Sequence, residues 1–129
     1  MYVITSREEY LCKIIVDCAY KVHRSLGPGL LEKIYETCIC HELVKKNISI
    51  ARQVKLPIKY DGLVFDEGLV LDVLIENTIV CELKAVDKIN PLWQAQLLSH
   101  LHLLNLHVGF LINFNVPMIK VGIRRYCIQ

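Results

Sequence analysis

The sequence predicts an α/β fold, with a mixed central sheet and helices on both of its faces. Three observations carry this. Apolar residues recur at helical spacing in two stretches before residue 47 and in a third after residue 91. Strand-like runs lie between the second and third stretches and again after the third. The central runs, residues 69–75 and 79–86, are apolar at odd and even positions alike, the pattern of strands covered on both sides.

Each element has a local reason. Ser6 opens a capping box with Glu9 three residues later, and Tyr10, Leu11, Ile14, Ile15, Cys18, Ala19 and Val22 continue a helical period to Leu26. Gly27-Pro28-Gly29 ends that helix and turns the chain. A second helix is expected over residues 30–46, with Leu31, Ile34, Tyr35, Cys38, Ile39, Leu43 and Val44 on its apolar side and Asn47 as its cap. A strand over residues 48–60 is interrupted by Pro57 and ends in a turn at Asp61-Gly62. A short piece at 63–65 leads through Asp66-Glu67-Gly68 into a hairpin formed by the two central runs. Pro91 opens a third helix that reaches about Leu106 and buries Trp93, Leu97, Leu98, Leu101 and Leu104. Residues 108–114 read as a buried strand and residues 119–128 as a last, edge strand.

The 129 residues are expected to form one domain, 1–129, with enough chain for a real core. Apolar residues make up 53% of the chain, yet no run approaches the ~18 needed to span a bilayer. The first residues lack a basic segment followed by an apolar one, so no signal peptide is expected. A formal charge of +2 excludes a strong basic footprint; any nucleic acid would meet a local patch. Six cysteines without a C-x-x-C pair read as reduced thiols of a cytoplasmic protein. The high apolar content and the cluster Leu101, Leu103, Leu104 and Leu106, too wide for one helical face, predict a homodimer.

The chemistry sits in the hairpin. Asp72, Glu82 and Lys84 interrupt runs that are otherwise apolar, and such charges are seldom buried unless paired or bound. Glu82 and Lys84 share one face by period-2 alternation. A two-residue loop would put Asp72 on the opposite face. A three-residue loop, Glu76-Asn77-Thr78, sets Asp72 against Glu82, and Asn tolerates the left-handed conformation that such a loop needs. Two adjacent carboxylates repel, and a divalent cation is the usual remedy. The local pattern fits an edge hairpin with its charges in water equally well.

Other candidates have ordinary explanations beside the functional ones. Glu32 lies in the first turn of the second helix, where a carboxylate favours the helix dipole, and shares a face with Tyr35. Gln96 lies among apolar neighbours, where a glutamine usually bonds backbone. None of the five histidines shows the i, i+4 pair with an acid of a metal-binding helix, so all read as surface or core residues.

Taken together, the segments resemble the GxxExxY proteins of the PD-(D/E)XK nuclease superfamily. The likeness runs through Gly29, Glu32 and Tyr35, the stretch 21–30, Asp72, Glu82-Leu83-Lys84-Ala85-Val86, Ala95-Gln96-Leu97-Leu98 and Leu111-Ile112-Asn113-Phe114. It implies a restriction-endonuclease-like three-layer core and hydrolysis of nucleic-acid phosphodiester bonds with Mg²⁺ or Mn²⁺. Asp72 matches the superfamily's Asp, Glu82 and Lys84 its E-x-K, Glu32 the helix acid, and Gln96 the glutamine of a Q-x-x-x-Y motif. The resemblance thus implies Asp72, Glu82 and Glu32 as metal ligands, with Lys84 and Gln96 completing the catalytic set. Two positions depart from the pattern: His100 stands where that motif has Tyr, and Trp93-Gln94 stands where the family has His-Glu. Two other readings remain beside the nuclease. One is a nucleic-acid-binding or regulatory module that keeps the fold without turnover; the other is a structural protein with a buried ion-pair network.

Overall fold

Thr5, not Ser6, caps the first helix, α1 (Ser6–Leu26). Its hydroxyl accepts from the Glu8 N–H at 3.0 Å, and the Glu8 carboxylate accepts from the Thr5 N–H at 2.8 Å. The Thr5–Glu8 spacing equals that of Ser6–Glu9, and tertiary partners decide between them. Glu8 is buried and accepts from the Tyr2 hydroxyl, whereas Glu9 turns outward to Arg125. The computed structural model describes residues 1–129.

Helix α1 stops at Gly27 (φ 67°), whose N–H returns to the His23 carbonyl. Helix α2 spans Glu32–Lys45 and so starts two residues later than expected. The turn between them is tied down by Tyr35. Its hydroxyl donates to the Gly27 carbonyl at 2.6 Å and accepts from the Leu30 N–H at 3.1 Å, while its ring stacks on Phe114 at 4.6 Å. Asn47, left-handed at φ 61°, closes α2: its N–H and that of Ile48 return to the Val44 and Leu43 carbonyls.

Five strands form one sheet: β1 (Ile50–Tyr60), β2 (Leu63–Ile75), β3 (Ile79–Lys84), β4 (Val108–Asn113) and β5 (Ile123–Cys127). They lie in that spatial order, and all neighbours are antiparallel except β3 and β4, which helix α3 (Leu92–Leu104) joins as a parallel pair. Two expected breaks are absent. Residues 63–68 do not form a separate piece and turn but belong to an unbroken β2. Pro57 does not interrupt β1; it shifts the register. Leu56 pairs with Leu69 and Ile58 with Phe65, so Pro57 faces Asp66, Glu67 and Gly68. A residue without an N–H is tolerated at such an irregularity. Gly68 is required there, because a Cβ would lie 2.8 Å from the Ile58 side chain. The last strand is shorter than expected, since Ile119–Gly122 forms a 3-10 turn. Gly122 passes β4 so closely that a Cβ would stand 2.1 Å from the Asn113 carbonyl oxygen.

Helices cover both faces, giving three layers. Helices α1 and α2 and one sheet face share a core of 21 buried residues, among them Ile15, Tyr35, Leu43, Val73, Leu83 and Phe110. The opposite face, under α3, has only six: Leu69, Leu71, Val80, Leu97, Leu101 and Leu111. The leucines that suggested a dimer are largely used here. Leu101 is buried, Leu104 and Leu106 pack against the small core, and only Leu103 stands 58% exposed. Exposed apolar side chains gather instead at the β1–β2 tip, at Tyr60, Leu63, Val64 and Phe65. All six cysteines are free, and no helix is long and apolar enough to cross a membrane.

Tyr35→Phe should keep the stack on Phe114 and lose both hydrogen bonds. The expected cost is about 1–3 kcal/mol of stability, read as a lower urea midpoint with an unchanged slope. An unchanged midpoint would show that the hydroxyl does not hold the α1–α2 turn.

Candidate active site

The β2–β3 loop has the odd length that brings the charges together. Ile75 pairs with Ile79, Leu74 with Val80 and Val73 with Cys81, leaving Glu76-Asn77-Thr78 as the loop. Glu76 and Asn77 are both left-handed (φ 50° and 54°), and the Thr78 N–H returns to the Ile75 carbonyl at 2.9 Å. This register sets Asp72 level with Glu82. Val80 belongs to the core under α3, and Glu82 and Lys84 follow it on the same face. Alternation breaks beside Asp72, because Leu71 and Leu74 both meet that core while Val73 belongs to the core under α1 and α2.

Here β2 and β3 separate. Their ladder ends at Val73–Cys81, and beyond it the Leu83 N–H is taken by the Asp72 Oδ2 at 2.8 Å. On the other side of β2, Gln53 lies opposite Asp72 with φ 50°, a conformation that a non-glycine residue holds only when its surroundings impose it. The Gln53 amide donates to Glu36 Oε1 at 2.8 Å, and the Arg52 guanidinium donates twice to Glu36 Oε2, at 3.0 and 2.9 Å. Buried Glu36 therefore ties α2 to β1. This holds the first turn of α2, with Glu32, at the opening between the strands. Glu32, Lys33, Glu36, Arg52, Gln53 and Asp72 line a cleft of about 580 Å³.

The Glu82 side chain is 13% exposed, and its Oε1 is buried without a hydrogen-bond partner. His100 Nδ1, on α3, lies 3.6 Å away and is likewise buried and unpartnered. Burial pushes Glu82 up to about 7; His100 opposes that rise and the Asp72 charge adds to it. Glu32 is also raised, first by burial and then by the Asp72 charge, with Lys84 acting against both. The Lys84 ammonium lies over the Trp93 ring, 4.4 Å from its centroid.

Of the residues singled out from the sequence, Glu82 and Lys84 share one face, Asp72 reaches β3 at the Leu83 N–H, and Glu32 lines the cleft with Asp72 from α2. Gln96 is exposed on α3, one turn from both Trp93 and His100, and forms no hydrogen bond with the others. No three His, Cys, Asp or Glu side chains are drawn together as a ready-made metal cage. Sequence reasoning noted His100 and Trp93 as departures from the family pattern, and missed their contacts with Glu82 and Lys84 and the Glu36–Arg52–Gln53 support. The stripe Trp93, Gln96, His100 at helical spacing was the available signal. The bland reading holds for other histidines: His23 Nε2 bonds the Val116 carbonyl at 2.8 Å, His107 Nδ1 bonds the Ile128 carbonyl at 3.1 Å, and His41 and His102 are exposed. A larger, open groove of about 770 Å³ between α1 and β5 lies apart from this cluster, and its ion pair, Glu9–Arg125, is solvent-exposed.

The family model described as the PD-(D/E)XK nuclease superfamily matches residues 9–126. The chain belongs to that superfamily. The match reaches from α1 into β5, and the three layers are those of the restriction-endonuclease-like fold. Among curated proteins and among solved structures, none matches this PD-(D/E)XK domain.

The raised Glu82 has a consequence for stability. In the unfolded chain it loses its proton near 4.5, and in the folded domain near 7. Between those values the folded state binds more protons, so this group makes stability fall as pH rises through the window, with no change below or above it. The full effect is about 3 kcal/mol. Denaturation of metal-free protein at about pH 5 and about pH 8 should show the wild type losing roughly 2–3 kcal/mol more than Glu82→Gln. Identical pH dependence of the two would contradict the buried, protonated carboxyl.

Proposed function

We propose that this domain is a divalent-metal-dependent nuclease that hydrolyses phosphodiester bonds of nucleic acid. Asp72 and Glu82 are its metal ligands, Glu32 completes the shell, Lys84 is the catalytic cation, and Gln96 contacts the substrate backbone. The observation that supports this most is the Glu82 carboxylate, buried with one oxygen unpartnered beside a second carboxylate. That arrangement is costly without a cation and is relieved by one. The donor set is carboxylate oxygen, which suits a hard ion. The absence of a closed cage suits Mg²⁺, which keeps several waters and few protein ligands. Superfamily members are typically divalent-metal dependent.

When bound, the ion supplies charge that stabilises the phosphate and lowers the pKa of water. The chain's own residues supply the rest. The Leu83 N–H fixes one Asp72 oxygen, so the carboxylate keeps its orientation. Lys84, on the same face as Glu82, offsets charge developing on the phosphate oxygens and orients the attacking water. The Trp93 ring holds that ammonium in place. Arg52 is committed to Glu36, which leaves Lys33 at the cleft to meet the phosphate backbone. One feature favours the second reading, a binding module without turnover: the hold of Trp93 on Lys84 competes with phosphate.

Single-stranded, double-stranded and branched DNA and RNA, each with Mg²⁺ or Mn²⁺, test the proposal. Cleavage should require metal, and Lys84→Ala should reduce it by about 100-fold or more while the metal still raises the melting temperature. Asp72→Asn should be at least as stable as metal-free wild type yet lose most of the metal response, which is about 2.7 kcal/mol at one hundred times the dissociation constant. A full metal response in Asp72→Asn would put the ion elsewhere. Metal binding without cleavage of any substrate would favour the binding module.

A further inference from the structure

We propose that His100 is a ligand of the same ion and biases the site toward first-row transition metals, Mn²⁺ among them, over Mg²⁺. This rests on the metal-dependent reading above and specifies which ion the site takes.

His100 Nδ1 and Glu82 Oε1 are both buried, both without a partner, and 3.6 Å apart. At this distance they form an ion-pair contact just beyond hydrogen-bond length, so neither atom has a hydrogen bond. Cis donors of a six-coordinate ion, each about 2.1 Å from it, stand about 3 Å apart, so binding would draw the pair together by roughly half an ångström. A single cation between them would satisfy both. His100 is also held in place, because it sits on α3 beside Leu97 and Leu101, which are fully buried in the core under that helix. The hydrogen-bonded His23 and His107 differ, since each already spends a ring nitrogen on a backbone carbonyl. Asp72, at the parted end of β2, is the nearest further carboxylate, since its charge adds to the rise of Glu82.

The donor types carry the selectivity. Mg²⁺ dehydrates reluctantly and favours oxygen. Imidazole nitrogen favours first-row transition metals, with affinity rising along the series from Mn²⁺. A tyrosine at position 100 would leave an all-oxygen site, so the histidine changes which ion is preferred without altering Asp72 or Glu82.

Metal-free protein titrated with Mg²⁺ and with Mn²⁺ by calorimetry, together with pulsed electron paramagnetic resonance of the Mn²⁺ complex, tests this without any activity measurement. The wild type should bind Mn²⁺ about tenfold or more tightly than Mg²⁺ and show coupling to an imidazole nitrogen. His100→Ala should lose that coupling and about tenfold of Mn²⁺ affinity, while Mg²⁺ affinity changes by less than about threefold. His100→Tyr should also lose the coupling and guards against a packing defect in the alanine variant. Binding of Mn²⁺ that depends on Asp72 but shows no nitrogen coupling overturns this inference and leaves the metal reading standing. So does an equal loss of both ions in His100→Ala. A wild type that binds neither ion overturns both.

Discussion

The site depends on one substitution of side chain for backbone. Strands β2 and β3 stop pairing after Val73–Cys81, and the Asp72 carboxylate takes the Leu83 N–H that a continued ladder would have served. Parting the strands opens the cleft, and the same bond keeps Asp72 level with Glu82 while they part. Without such a partner, a strand N–H at this depth would be an unpaired donor beside a buried core residue, a cost that selects against separation. Gln53 on the far side of β2 holds a left-handed conformation at the same level, so the disturbance crosses both neighbours of Asp72.

The two layers have unequal tasks. The thick core under α1 and α2 fixes β3 and β4, and the thinner layer under α3 leaves room for charge at the end of β3. The Gly29-x-x-Glu32-x-x-Tyr35 segment serves both layers. Gly29 takes φ 100° in the turn, Glu32 reaches the cleft, and Tyr35 pins the turn while stacking on Phe114, just past the end of β4. Glu36, one residue further, locks α2 to β1 through Arg52 and Gln53. A change in the pitch of α2 would therefore move Glu32 relative to Asp72 through contacts that lie outside the metal ligands.

Most of the architecture was legible because it is written in periodicity and loop parity. The odd loop at Glu76-Asn77-Thr78 set Asp72 level with Glu82, and the apolar runs marked the covered strands. The failures share a cause: the deciding partner was distant in sequence. Thr5 and Ser6 offered equal caps until Tyr2 and Arg125 chose between Glu8 and Glu9. Pro57 looked like a break because the three residues facing it on β2 cannot be read from β1. Leu104 and Leu106 read as more than one helical face could bury, because the strands they pack against lie elsewhere in the chain. His100 was noted only as a departure from the family pattern, because a lone histidine carries no local sign of a contact; what marks it is Glu82, eighteen positions earlier, at 3.6 Å.

The central claim is that the charged cluster at the parting of β2 and β3 is a cation site. Anomalous diffraction from crystals grown with Mn²⁺, collected at the manganese edge, tests it most directly. The account predicts one strong peak within bonding distance of Asp72 and Glu82 carboxylate oxygens, absent from Asp72→Asn crystals. A peak only at other carboxylates, or none at this cluster in a crystal whose cleft is open to solvent, would contradict it.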